Sequence, residues 1–359
     1  MSLQKTSLHE KHLRLNAKMG PFAGFEMPLQ YSGVKDEVLA VRNNIGVFDV
    51  GHMGEFFIEG TEAQQFVDYL ITNDFLGAGE SKAVYSPLCR EDGTVVDDAI
   101  SYKVRPDKVL ICVNASNMQK DWTWISSHVN AFNCTITDKS AEYSLLAVQG
   151  PKTEALFIKL GLLSPQENFP YYSVKEGKYL GKEVIIARTG YTGEDGFEVF
   201  CSHDTAVNFW DTLLDNGVIP CGLVARDVLR LEVCFPLYGH ELTDDLTPID
   251  SGLKWTVKFN KTNFLGKNFL TNYKPKYILV KLSIEKGVPR QDYPVTTEDG
   301  RVIGKVVSGT MSISINHGVA TALISEELFP KDKQFFINIR EKLVRANYHT
   351  KPFVVGGHK

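Results

Sequence analysis

The stretch Glu183-Val184-Ile185-Ile186-Ala187-Arg188-Thr189-Gly190-Tyr191-Thr192-Gly193-Glu194-Asp195-Gly196-Phe197-Glu198-Val199 decides the fold class. Its first seven residues are rich in β-branched and apolar types and read as a strand, and the three glycines that follow permit a tight turn. Glu198 then re-enters an alternating strand between Phe197 and Val199. A helix follows over 204–216, with Val207, Trp210 and Leu214 in register and Gly217 as its stop. Strand, turn, strand and helix in that order break the regular strand–helix repeat of a doubly wound parallel sheet, so the chain is expected to be α+β.

Outward from this stretch the alternation stays irregular. Residues 61–75 open on a Thr61-x-x-Gln64 capping box and carry Phe66, Val67, Leu70 and Ile71 on one stripe, which predicts an amphipathic helix. Met118, Trp122, Ile125 and Val129 predict another. Residues 56–59, 94–104 and 109–113 read as strands. Beyond Tyr277 the chain becomes short alternating strands broken at Glu298-Asp299-Gly300 and Asn316-His317-Gly318, as in a small β-barrel or jelly roll. The polar segment Thr271-Asn272-Tyr273-Lys274-Pro275-Lys276 marks the boundary before it.

The 359 residues are 43% hydrophobic and 23% charged, with ample material for a core. A net charge of −4 gives no global positive field to gather nucleic acid or anionic lipid. Six scattered cysteines lack metal-knuckle or redox spacing, and Cys112, Cys134 and Cys234 are expected as buried thiols of a reducing compartment. No window is apolar enough to span a bilayer, and Met1-Ser2-Leu3-Gln4-Lys5 shows neither a signal core nor an Arg-rich transit pattern, so a cytoplasmic location is expected. No phosphate loop, dinucleotide fingerprint, zinc-protease motif or nucleophile elbow occurs, and no metal is expected.

Three segments carry candidate chemistry. In Gly93-Thr94-Val95-Val96-Asp97-Asp98-Ala99-Ile100-Ser101-Tyr102, strand alternation puts Asp97 with Val95, Ala99 and Ser101, and Asp98 with Val96, Ile100 and Tyr102. The small residues beside Asp97 leave room for a ligand, although both acids could equally cap a strand end in solvent. In the glycine-rich loop, backbone can approach a planar ligand while Glu198 presents a carboxylate to a heterocycle carrying an amino group beside a ring N–H. An ordinary hairpin turn also fits that loop. In Cys221-Gly222-Leu223-Val224-Ala225-Arg226-Asp227-Val228-Leu229-Arg230-Leu231-Glu232, Arg226 and Arg230 share a helix face and need acidic partners or a ligand. Surface ion pairs with Asp227 and Glu232 are the plain alternative.

Together these segments resemble the glycine cleavage T-protein family. The likeness extends through Phe22-Ala23-Gly24-Phe25-Glu26-Met27-Pro28-Leu29-Gln30-Tyr31, Phe48-Asp49-Val50-Gly51-His52-Met53, Val113-Asn114-Ala115-Ser116-Asn117, Val148-Gln149-Gly150-Pro151 and Lys351-Pro352-Phe353-Val354. It implies a three-domain cloverleaf, divided as 1–54 with 138–240, 55–137 with 241–276, and 277–359. It further implies an aminomethyltransferase that moves a methylene from the lipoyl group of the glycine cleavage H-protein to tetrahydrofolate with release of ammonia. By the resemblance, Glu198 and Arg226 hold the pterin, Met53, Tyr85, Asn114, Tyr191 and Tyr238 line its pocket, and Asp97 is the catalytic carboxylate. No nucleic-acid or membrane partner is implied. Gly51, Ala99 and the run ending at Ile313 depart from the family pattern. A folate-dependent demethylase shares the implied architecture. A non-catalytic protein of iron–sulfur maintenance also shares it, but the reactive-cysteine motif of that group is replaced here by Pro236-Leu237-Tyr238-Gly239-His240-Glu241.

Overall fold

The computed structural model describes residues 2–357, and its helices and sheets follow one another in the irregular order of an α+β protein. Contacts group the chain into two units. One holds the described residues up to Ser86, Ala99–Asp227 and the last two described residues; the other holds Pro87–Asp98 and Val228–Val355.

The first unit contains a six-stranded sheet in the order Val174–Tyr179, Lys182–Ala187, Gly196–Ser202, Tyr143–Gln149, Gly46–Asp49 and Ile219–Pro220. Its second and third strands are the hairpin read from the sequence, with Val184 opposite Cys201 and Ala187 opposite Glu198. Leu146, Val148, Phe197 and Val199 point to the face packed with Phe157, Phe209 and Trp210 of the helices Thr153–Lys159 and His203–Asp215. Alternation therefore sends Glu198 and its row neighbours to the opposite face.

The helix His203–Asp215 stops where expected, with Gly217 at φ 77 and its N–H donating to the Leu214 carbonyl at 2.8 Å. Its buried stripe is a correction. Ala206, Phe209, Trp210 and Leu213 are buried, whereas Val207 and Leu214 only flank the core. The Phe209 ring meets Phe157 and Tyr179 edge-on, and this turns the helix by about one position.

A five-stranded sheet runs in the order Ala83–Cys89, Val95–Arg105, Lys108–Val113, Gly54–Glu59 and Thr135–Asp138; its first two strands each pass from one unit into the other. Phe56 packs edge-on at 5.3 Å against Trp122 of the helix Met118–His128. The predicted helix at 61–75 is shorter, Ala63–Leu70, although Phe66, Val67 and Leu70 are buried as read. Its capping box does not form, because Thr61 accepts a hydrogen bond from Asn133 and Gln64 donates to the Pro106 carbonyl.

The second unit contains a closed barrel, not a jelly roll, in the order Tyr277–Ile284, Gly318–Ser325, Val302–Met311, Pro294–Thr296, Phe335–Ile339 and Lys342–His349. Val280, Leu282, Val306, Ala322, Ile324 and Phe335 fill it. Its turns fall at Gly300 and Asn316, both at positive φ. The loop that departs from the family pattern is held by Glu232, whose carboxylate accepts from the Ser312 and Ser314 hydroxyls and from the Ser314 N–H.

All six cysteines are free thiols, and Cys112 is buried. Cys134 and Cys234 are only half-buried, so their apolar sequence neighbours overstated their burial. Among the described residues no helix is long and apolar enough to cross a membrane.

Candidate functional site

Glu198 is 6% exposed, on the sheet face away from the helices. Its cross-strand neighbours are alanines on both sides, Ala187 and Ala147, and Ala147 in turn pairs with Phe48. Two methyl side chains beside a carboxylate leave open space on an otherwise packed face. The Oε2 atom accepts from the Thr189 hydroxyl at 2.5 Å and from the Tyr102 hydroxyl at 3.2 Å. Both donors land on one oxygen, which restrains the carboxylate plane and leaves Oε1 without either of them. Burial, and then the Glu198 charge, raises the pKa of Tyr102 and pushes Tyr172 up to about 12, so both phenols stay neutral and Tyr102 stays a donor.

The glycine-rich loop is a clamped structure. Gln149 donates to the Thr189 carbonyl and accepts from the Thr192 hydroxyl, and a Cβ on Gly190 would lie 1.9 Å from Gln149 Oε1. Of the two sequence readings, a ligand-approaching loop or an ordinary hairpin turn, the close approach at Gly190 is made by a buried glutamine. Arg42 donates to the Thr192 carbonyl and to Glu194, and Arg188 forks onto Asp195 at 2.8 and 2.6 Å. Such bidentate pairs hold geometry firmly. Their effect here is to fix Tyr191 in place.

Arg226 stands on the helix Leu223–Glu232. The start of that helix is set by Glu37, a buried carboxylate that accepts from the Tyr31 and Gly33 N–H groups and from the Gly222 N–H at 2.8 Å. Gly222 is required, since a Cβ there would meet the Leu29 backbone at 2.3 Å. The Arg226 guanidinium lies 4.9 Å from the Tyr191 ring centre and 5.9 Å from that of Phe48. Burial lowers its pKa while the Glu198 charge opposes the shift, yet an arginine stays charged at neutral pH. Its Nη1 is buried without a hydrogen-bond partner. Glu198 and Arg226 thus feel each other's charge without closing an ion pair. Arg230, by contrast, is buried rather than on the helix surface, and it donates to Glu241 and Ser308.

His52 went unnoticed as a site residue, although its motif was read. It is 3% exposed, set between the Phe22 and Phe25 rings, and its Nδ1 has no partner. Burial, opposed by Asp49 and reinforced by Arg226, pulls its pKa down to about 4, which leaves a neutral imidazole near a cation.

Glu198 and Arg226 thus stand as an opposite-charge pair on one face of the sheet, and known proteins resemble the chain along its whole length. The model described as the GCVT N-terminal domain matches residues 8–261, and that of the glycine cleavage T-protein C-terminal barrel domain matches 278–354. The chain belongs to the glycine cleavage T-protein family. Aminomethyltransferases of Thermosipho melanesiensis and Staphylococcus carnosus are 44% and 39% identical to it, over 99% and 96% of both chains. The crystal structure of the glycine cleavage system aminomethyltransferase T from Bartonella henselae superposes with a TM-score of 0.92 at 32% identity, covering 99% of each chain.

Of the other residues to which the T-protein resemblance gives roles, Met53, Tyr85 and Asn114 in the first unit and Tyr238 in the second are each half-buried. Gly54 pairs with Val113, so Met53 and Asn114 leave adjacent strands at the same end. Tyr85 lies on the strand Ala83–Cys89, and its carbonyl accepts from the Asn73 amide. In the second unit, burial and then a hydrogen bond to Asp244 raise the Tyr238 pKa, with the Asp97 charge adding to it. Asp97 is buried, and Asp98 and Ile100 are half-buried on the alternate face of the strand Val95–Arg105, the face that carries Tyr102. Among the described residues no cluster of metal ligands occurs.

Proposed function

We propose that this chain is the aminomethyltransferase of a glycine cleavage system: it takes the methylene of an S-aminomethyl-dihydrolipoyl carrier, the lipoylated H-protein, and passes it to tetrahydrofolate. The products are 5,10-methylenetetrahydrofolate, ammonia and the reduced lipoyl arm. The observation that carries the reading is the unclosed pair of Glu198 and the buried Arg226 Nη1. A reduced pterin offers an amino group and a ring N–H to Glu198 and a carbonyl to Arg226, and it satisfies both where a simple ion pair would satisfy neither fully. Tyr191 and Phe48 keep the guanidinium in its plane.

Tetrahydrofolate supplies the two amine nitrogens that receive the methylene. The chain supplies position and charge. As positive charge grows at the methylene carbon, a fixed carboxylate stabilises it and can hold a proton in transit. We assign that part to Asp97, the carboxylate whose charge also acts on Tyr238, with Asp98 on the other face of the strand as the control. Both amine hydrogens of the folate must end on the departing sulfur and nitrogen, so a carboxylate able to accept and return a proton suits the balance.

The deciding experiment is ammonia release from aminomethyl-loaded carrier with and without tetrahydrofolate. Turnover that needs the folate is expected; full-rate release without it would remove the assignment. The domain division at 54/55, 137/138, 240/241 and 276/277 is likewise proposed, and limited proteolysis should cut first in the exposed polar segment 271–276 before the barrel.

A further inference from the structure

Residues 251–284 contain seven lysines, no arginine and no acidic residue, within a chain of net charge −4. Some of those lysines are spent locally: Lys267 donates to the Lys261 and Thr262 carbonyls, and Lys281 to that of Thr350. Lys254, Lys274 and Lys276 are exposed, as are three large aromatics of the same run, Trp255 at 58%, Phe269 at 44% and Tyr277 at 40%. Apart from Trp255, which is placed only by following Lys254 in the chain, these residues adjoin one another. Lys254, Tyr273 and Tyr277 line one groove of about 320 Å³ floored by Ile249, Leu270 and Leu279. Tyr277 and Pro275 also line a second groove with Lys274 and Lys276, and the Phe269 ring lies 5.4 Å from that of Tyr273. Glu326 and Glu327 close the far edge.

Exposed aromatics ringed by cations of one sign are the composition of a protein contact site, apolar at the centre and charged at the rim. A nucleic acid needs more positive charge than three exposed lysines bordered by two glutamates provide. The patch also touches the segment that leads into the carboxylate pair. The helix Lys267–Thr271 packs on the turn before Asp97, so closely that a Cβ on Gly93 would lie 2.6 Å from the Phe269 ring.

We propose that this lysine and aromatic face docks the carrier through an acidic surface on that protein, an inference that rests on the aminomethyltransferase reading. Opposite charges steer the encounter, and the aromatics hold the complex. A partner seated here begins its arm beside the strand of Asp97 and Asp98.

The test measures ammonia release as the loaded carrier is varied, for wild type, for the double variant Lys254→Glu with Lys274→Glu, and for Trp255→Ala. The expected result is a carrier KM raised about tenfold or more by the charge reversals, with kcat and tetrahydrofolate affinity unchanged. The wild-type KM should rise with salt, and that of the double variant should respond less. S-aminomethyl-dihydrolipoamide, a substrate without the carrier protein, should serve all three enzymes equally. An unmoved carrier KM in the double variant, with active wild type, places docking elsewhere. Salt-sensitive retention of single-stranded RNA by wild type alone, with carrier KM unmoved, would make the partner a nucleic acid. A wild type that releases no ammonia from either substrate sinks the activity reading instead.

Discussion

At the scale of single residues, the site consists of charges kept from cancelling one another. Glu198 has its two donors on one oxygen, and Arg226 is held between rings with a nitrogen unpaired. Asp97→Asn is expected to lower turnover roughly 10²-fold or more with little change in folate affinity, the scale of one preorganised charge. Asp98→Asn should retain turnover; the reverse outcome would move the role to Asp98. His52 gives a second prediction through linkage. Its pKa falls from 6.5 to about 4 on folding, so between these values the unfolded chain binds more protons than the native one. Stability is therefore complete above about pH 6.5 and is lost as pH falls toward 4, by about 3 kcal/mol from this group alone. Urea unfolding at pH 7 and pH 5 should show a smaller difference for His52→Gln than for wild type. An equal loss in both would mean that other groups carry the acid sensitivity.

At the scale of elements, hairpin and helix were legible because periodicity marks them: apolar alternation for the strands, spacing and Gly217 for the helix stop. What they pack against was not. The glycine-rich loop looked like a ligand cradle, yet its tightest approach belongs to Gln149, and the capping box at Thr61 was dismantled by Asn133. Gly190→Ala should cost about 1–3 kcal/mol by forcing Gln149 aside, the usual price of overpacking. Because that loop carries Tyr191, folate binding should weaken with it, which calorimetry on the folded variant would show. Arg188→Met should be costlier, about 3–5 kcal/mol, since it strands the buried Asp195.

At the scale of the whole molecule, a ligand that binds only the folded chain should stabilise it by about 2.7 kcal/mol at a hundredfold excess over Kd. Thermal unfolding with tetrahydrofolate should show that shift in wild type and a much smaller one in Glu198→Ala; an equal shift would remove Glu198 from the binding site. The sequence by itself determined the α+β class, the barrel after Tyr277, the family and the candidates Glu198 and Arg226, because periodicity, turn residues and motif order are local properties. Only the tertiary structure decided that Arg226 has an Nη1 without a partner while Arg230 has Glu241, that Asp97 is buried and Asp98 half-buried, and that His52 is neutral. Each of those depends on distances between residues far apart in the chain and on water excluded by packing, and no local pattern encodes either.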